Sequence, residues 1–212
     1  MVNEKQTCAA AQTRRARRQW VLLLVMLAVV ALGWRYPYLG FVVPVVMVTG
    51  MLGGLFAGRW VCGNLCPRGS FFDRILARLS VRRSVPSFLK SMPLRWVVFA
   101  AMMTVMISQA LRDVGNPRHW GHVFWLMCTA TTLLAVVLGL WFRERAWCTF
   151  CPVGTVARAL GGARHTLRRT ESCRACGLCD KACPMEIGPG HADCLHCGLC
   201  AAVCPCAAVV PR

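Results

Sequence analysis

Twelve of the fifteen cysteines in this 212-residue chain fall into patterned groups. The densest runs from Cys173 to Cys204 and reads C-x2-C-x2-C-x3-C-P twice, with nine residues between the copies. Thiolates at this spacing hold a pair of [4Fe–4S] clusters: three close cysteines grip one cubane and the fourth reaches across to the other. On that rule Cys173, Cys176, Cys179 and Cys204 bind one cluster, and Cys183, Cys194, Cys197 and Cys200 bind the second. A zinc site would instead set C-x2-C pairs across a longer spacer.

Four more cysteines stand in two related motifs. Trp60 precedes Cys62…Cys66-Pro67-Arg68-Gly69, and Trp147 precedes Cys148…Cys151-Pro152-Val153-Gly154. The first pair is spaced C-x3-C and the second C-x2-C. Three roles stay open for Cys62, Cys66, Cys148 and Cys151. They can jointly hold a third cluster, act as redox dithiols with a thiol pKa lowered by Arg145 and a helix end, or be structural remnants of a repeat. Cys206 is a spare ligand or idle, Cys128 reads as a small buried hydrophobe, and Cys8 carries no pattern. Met102, Met103 and Met106 suit Cu(I) or plain packing. His119, His122 and Asp113 are candidate proton acceptors placed in or beside an outer loop. His165, His191 and His196 show no ligand spacing.

The elements that position these residues are membrane-like. The chain is 57% hydrophobic with a positive mean hydropathy, and the apolar residues collect in four blocks: Trp20–Gly33, Tyr38–Ala57, Leu94–Leu111 and Val123–Phe142. Each approaches the ~20 residues that cross a bilayer, the first being short. The expected organisation is a basic tail (1–18), an all-α membrane domain of four transmembrane helices (19–154), a linker (155–171) and a small α+β 2[4Fe–4S] ferredoxin-like domain (172–212). Ser70–Arg83 is amphipathic, with Ser70 and Asp73 in capping-box spacing, and predicts a helix lying in the membrane interface or against the ferredoxin domain.

The net charge is +17, and 22 of the 25 basic residues are arginine. No recognition helix or aromatic stacking platform accompanies them, so nucleic acid is excluded as the partner. With four spans and the N-terminus inside, only Arg35, Arg112 and Arg118 fall outside, as the positive-inside rule requires. Free thiolates need a reducing side, which places both termini and the clusters on the cytoplasmic face of a bacterial inner membrane. Membrane lipid is then one contact of the arginines.

Two pairs of spans, each ending in a cysteine motif with C-P-x-G, followed by the double cluster motif, resemble the NapH/MauN-type membrane ferredoxins and the related NosR and CcoG polyferredoxins. The resemblance covers residues 20–206; Cys62 and Cys66 match the family's C-x3-C-P, whereas Cys148 and Cys151 are one residue closer. It implies a membrane electron-transfer component of the quinol dehydrogenase kind, working between the quinone pool or a membrane partner and a partner redox protein, with no substrate chemistry of its own. The CcoG branch implies copper reduction during oxidase assembly instead, and a cluster-based redox sensor is a third class.

Overall fold

The computed structural model describes residues 2–162 and 166–211; His165 and the side chain of Cys8 lie outside the described residues. The basic tail and the first apolar block form one continuous helix, α1 (Val2–Leu32). A 3-10 turn at Pro37–Phe41 leads into α2 (Val42–Ala57), followed by the short α3 (Trp60–Asn64). α4 (Pro67–Phe71) passes through a π-helical turn, Phe72–Leu76, into α5 (Ala77–Leu79). Then come α6 (Met92–Ala110), α7 (Pro117–Trp141) and α8 (Pro152–Gly161). The C-terminal part consists of β1 (Leu167–Arg169), α9 (Leu178–Ala182), α10 (Leu199–Ala202) and β2 (Val209–Pro211). β1 and β2 pair antiparallel, Leu167 opposite Pro211, so part of the expected linker is a strand that closes the C-terminal segment.

Three helical stretches are long and apolar enough to cross a membrane: Pro37–Ala57, Met92–Ala110 and Pro117–Trp141. Their large side chains point mostly outward, Val45, Phe56, Val97, Leu133 and Trp141 among them. That is how a helix faces lipid. α1 contributes a shorter apolar stretch after Arg18, while its preceding turns are tied into the rest of the molecule. Arg15 and Gln19 are buried, and both reach the Asp73 carboxylate.

Two local expectations are corrected. Of the two placements expected for Ser70–Arg83, packing against the C-terminal segment is the one observed: Phe72 and Leu76 are fully buried in one core with Ala135, Trp147, Met185 and Leu195. Its helix begins at Pro67, capped by Cys66, and Ser70 donates to the Cys66 carbonyl at 3.1 Å. No Ser70–Asp73 capping box forms; Asp73 turns instead into a buried ion network within the π turn. His119 and His122, expected in a loop, belong to the first turns of α7, which Asn116 caps and Pro117 opens. Pro at the first helical position loses no hydrogen bond, so the helix starts earlier than the apolar block. His119 Nε2 lies 2.8 Å from the Gln109 carbonyl.

Candidate metal centres

Cys62, Cys66, Cys148 and Cys151 line one cavity of about 150 Å³ at the end of the helical domain. The two copies of the motif place them alike. α3 carries Cys62, and a 3-10 turn (Ala146–Thr149) carries Cys148. Cys66 and Cys151 each occupy the N-cap of a helix, α4 and α8, whose first helical residue is the proline of C-P-x-G. The Gly69 amide donates to Cys66 Sγ at 3.5 Å.

Each copy also carries an arginine three residues before its first cysteine, Arg59 and Arg145, and the two are exchanged between the copies. Arg59 Nη2 donates to the Cys148 carbonyl at 2.6 Å, and Arg145 Nη1 donates to the Cys62 carbonyl at 3.1 Å. Both are essentially fully buried. The glycine of C-P-x-G makes room for the crossing. A Cβ on Gly154 would lie 2.4 Å from Arg59 Nη2, and one on Gly69 2.7 Å from Arg145 Nη1.

Each buried guanidinium has a carboxylate. Arg145 grips Asp73 in bidentate fashion, with two bonds of 2.8 Å, and Arg15 shares the same carboxylate. Arg59 bonds Asp193 at 2.8 Å. Asp193 also receives a bidentate pair from Arg95, both at 2.9 Å, and a bond of 2.6 Å from Arg158. Burial alone would raise the Asp193 carboxyl, but Arg95, Arg59 and Arg158 hold it down at about 2. These arginines are therefore committed to internal carboxylates rather than to lipid headgroups. A buried carboxylate with matched guanidinium partners is tolerated because its desolvation is compensated, and removing it leaves the cations uncompensated.

Burial pushes the Cys62 thiol up to about 12 and raises Cys66 and Cys148, in spite of the arginines nearby. A dithiol-exchange site needs the opposite shift.

The C-terminal cysteines line two further hollows. Cys173, Cys176, Cys179, Cys204 and also Cys206 line one. Cys183, Cys194, Cys197 and Cys200 line the other. The two loops share a backbone: Ala175 and His196 both have φ 50°, and Gly177 and Gly198 both have φ 72°. Such left-handed residues bend a short loop around a centre. Amides point at the sulfurs, those of Met185 and Ile187 at Cys183, Leu199 at Cys197, Ala201 at Cys200 and Ala208 at Cys204. N–H···S bonds of this sort are a recognised lever on iron–sulfur centres. Burial takes Cys200 to about 12. No three His, Cys, Asp or Glu side chains among the described residues gather as they would round a single metal ion. A cubane holds its thiolates farther apart than one ion does, and hollows lined by four or five cysteines suit it.

Other candidates are dispersed. Cys128 is buried on α7, where Arg68 donates to its carbonyl at 3.3 Å. His191 packs on Asp193, whose amide donates to His191 Nδ1 at 3.1 Å. Asp113 lies exposed between α6 and α7. The sequence reading left out Arg59 and Asp193 and gave Arg145 and Asp73 other roles, a thiol neighbour and a helix cap. A signal existed in R-x2-C, which precedes both cysteine motifs.

A family described as a 4Fe-4S binding domain matches residues 39–86 and 122–170. The two matched regions are the two copies of the membrane motif, each containing one crossed arginine and one cysteine pair. The chain is 25% identical over 146 residues to an uncharacterized protein of Methanocaldococcus jannaschii, a match that covers 63% of this chain and 61% of the relative. The chain thus spans about three-fifths of that relative's length. No solved structure matches. The matched domain and the clustered cysteines identify an iron–sulfur protein of ferredoxin type, mostly helical, with helices suited to a membrane.

Proposed function

We propose that this protein is a membrane-anchored electron carrier with three [4Fe–4S] sites. It moves electrons between the quinone pool, or a membrane partner, and a redox enzyme. One observation carries the proposal: each of the two regions matching a 4Fe-4S binding domain delivers one cysteine pair to the same cavity. Cys62, Cys66, Cys148 and Cys151 hold the centre at the membrane mouth. Cys173, Cys176, Cys179 and Cys204 hold a second, and Cys183, Cys194, Cys197 and Cys200 a third. When bound, each cluster supplies one-electron storage. Arg59 and Arg145 fix the carbonyls of Cys148 and Cys62, hold the two motif copies in register and place positive charge beside the thiolates. Such charge favours the more negative, reduced state. Phe72 and Trp147 exclude water.

Four spans, with α1 as the short first one, agree with the arginine bias and put the cysteine-bearing end on the cytoplasmic side of the inner membrane. The mouth cavity extends among α1, α2, α6 and α7, and its walls are almost wholly apolar, which suits a neutral lipophilic carrier such as a quinone. Six methionines line it: Met26, Met47, Met102, Met103, Met106 and Met127. Their thioethers favour a second reading, reduction of a soft metal ion such as copper. Arg59 and Arg68 at the cysteine end oppose a cation there, and methionine also adapts to flat apolar guests.

Iron and acid-labile sulfide, counted on protein purified anaerobically in detergent, test the site assignment. The expected value is about twelve irons per chain, falling to about eight in Cys62→Ser or Cys151→Ser. A wild-type value of about eight overturns the membrane-mouth cluster. Quinol-driven reduction of the clusters in membranes, blocked by a quinone-site inhibitor, tests the donor; no effect of quinol rejects it.

A further inference from the structure

Nothing in the repeated cysteine spacing says which C-terminal loop lies against the membrane-mouth cysteines. The packing separates them. The loop Asp193–Cys200 is built into the helical domain by three kinds of contact. Gly63, between Cys62 and Cys66, touches the backbone between Cys194 and Cys197 so closely that a Cβ there would sit 1.9 Å from the Leu195 carbonyl oxygen. Asp193, the residue before Cys194, is held by Arg59, Arg95 and Arg158, all from the helical domain. Gln12 of α1 donates to the Cys197 carbonyl at 2.8 Å. The fourth cysteine of that site is fastened as well. Arg143 donates to the Cys183 carbonyl at 2.7 Å, and Glu186 pairs with Arg143 and Lys90. Leu195 and Met185 are buried in the same apolar core as Cys148, with Cys62, Cys151 and Cys183 packed at its edge.

The loop Cys173–Cys179 has little of this. Cys176 is exposed, and so are Arg174, Ala175 and Leu178. Its ion pair, Arg169–Asp180 at 2.7 Å, stays within the C-terminal segment and is about half exposed on both sides. Among the described residues, it is tied to the helical domain by a bond of 3.5 Å from Arg143 to the Lys181 carbonyl.

We infer, resting on the three-site reading above, that the sites are wired in a fixed order: membrane mouth, then the Cys194 loop, then the Cys173 loop, which is the terminal presented to a soluble redox partner. Arg59 is the positioning residue of the first junction. Its one guanidinium bonds both the carbonyl of Cys148 at the mouth and the carboxylate next to Cys194. A hydrogen-bonded bridge of only Asp193 and Arg59 thus joins two cysteine sites. Each exchange along this order moves one electron and makes or breaks no bond.

Electron paramagnetic resonance of the fully reduced protein, loaded with all its iron, tests the order, because neighbouring reduced clusters broaden each other's signals and speed their relaxation. Removing the Cys194-loop cluster with Cys197→Ala should sharpen the signal of the membrane-mouth cluster and slow its relaxation. Removing the Cys173-loop cluster with Cys176→Ala should leave that signal broadened. The reverse pattern, or equal effects from both, overturns the order. Asp193→Asn keeps every cysteine and serves if either cysteine variant fails to fold. At a full iron count it should weaken the coupling between the membrane mouth and the Cys194 loop and spare that between the two C-terminal clusters. Unchanged coupling at the mouth overturns the role of the Arg59–Asp193 bridge. A wild-type count of about eight irons is a different failure: it removes the membrane-mouth cluster itself.

Discussion

The loops that begin at Cys173 and Cys194 share a sequence pattern and a backbone, yet they live in different surroundings. Both turn through left-handed residues at equivalent positions, Ala175 and Gly177 in one, His196 and Gly198 in the other. One is exposed over much of its length; the other is clamped between a buried carboxylate and a glycine contact. The spacing of cysteines therefore specifies how a loop wraps a centre, and the flanking residues specify where that centre stands. Asp193 sits directly before the second run. The first run has Ser172 in the equivalent place, which carries no charge for the arginines to hold.

Breaking this asymmetry should cost most at Asp193. Asp193→Ala leaves Arg59, Arg95 and Arg158 facing one another without an anion, and the expected loss is ~3–5 kcal/mol, read from denaturant or thermal unfolding in detergent. Gly63→Ala comes next. Its Cβ would meet backbone rather than a side-chain tip that can move aside, and overpacking of that kind costs ~1–3 kcal/mol. Hydrogen exchange should then rise across residues 193–200 and stay unchanged across 173–179. Gly154→Ala pushes on the Arg59 guanidinium, which is buried and pinned by the Cys148 carbonyl and Asp193, so a loss in the same range of ~1–3 kcal/mol is expected. At the other extreme, Asp180→Ala removes an exposed pair in the Cys173 loop and should change stability by less than about 1 kcal/mol. Equal losses for Asp193→Ala and Asp180→Ala would erase the distinction between the loops.

Much of the architecture is legible in the sequence because it follows from local rules. The spans over Pro37–Ala57 and Met92–Ala110 coincide with apolar blocks to within about two residues. The cysteine quartets expected from the motif each line one hollow. What escaped detection is what depends on distant partners. Asp73 in capping spacing with Ser70 looks local, but its strongest partner, Arg145, lies far along the chain, and that pairing outweighs a cap exposed to water. The arginines counted as a membrane-orienting bias turn out to include the buried Arg15, Arg59, Arg95 and Arg145. A charge count cannot distinguish a guanidinium in solvent from one locked on a carboxylate. The dithiol role, one of the three left open for the membrane-mouth cysteines, is disfavoured for a similar reason: burial raises Cys148 despite the nearby Arg145, and burial is invisible in a motif.

The exchange of Arg59 and Arg145 between the motif copies also has a consequence in time. During synthesis the N-terminal copy leaves the ribosome first, when its Cys62 carbonyl has no Arg145 to bond and its Arg59 has neither the Cys148 carbonyl nor Asp193. The first half cannot finish its own site, and the second cannot either. Maturation is thereby made a late, whole-chain event. The first copy's cysteine pair stands open until then, and Arg59, one of the two crossed arginines, is fully bonded only once the Asp193 segment has been made and seated.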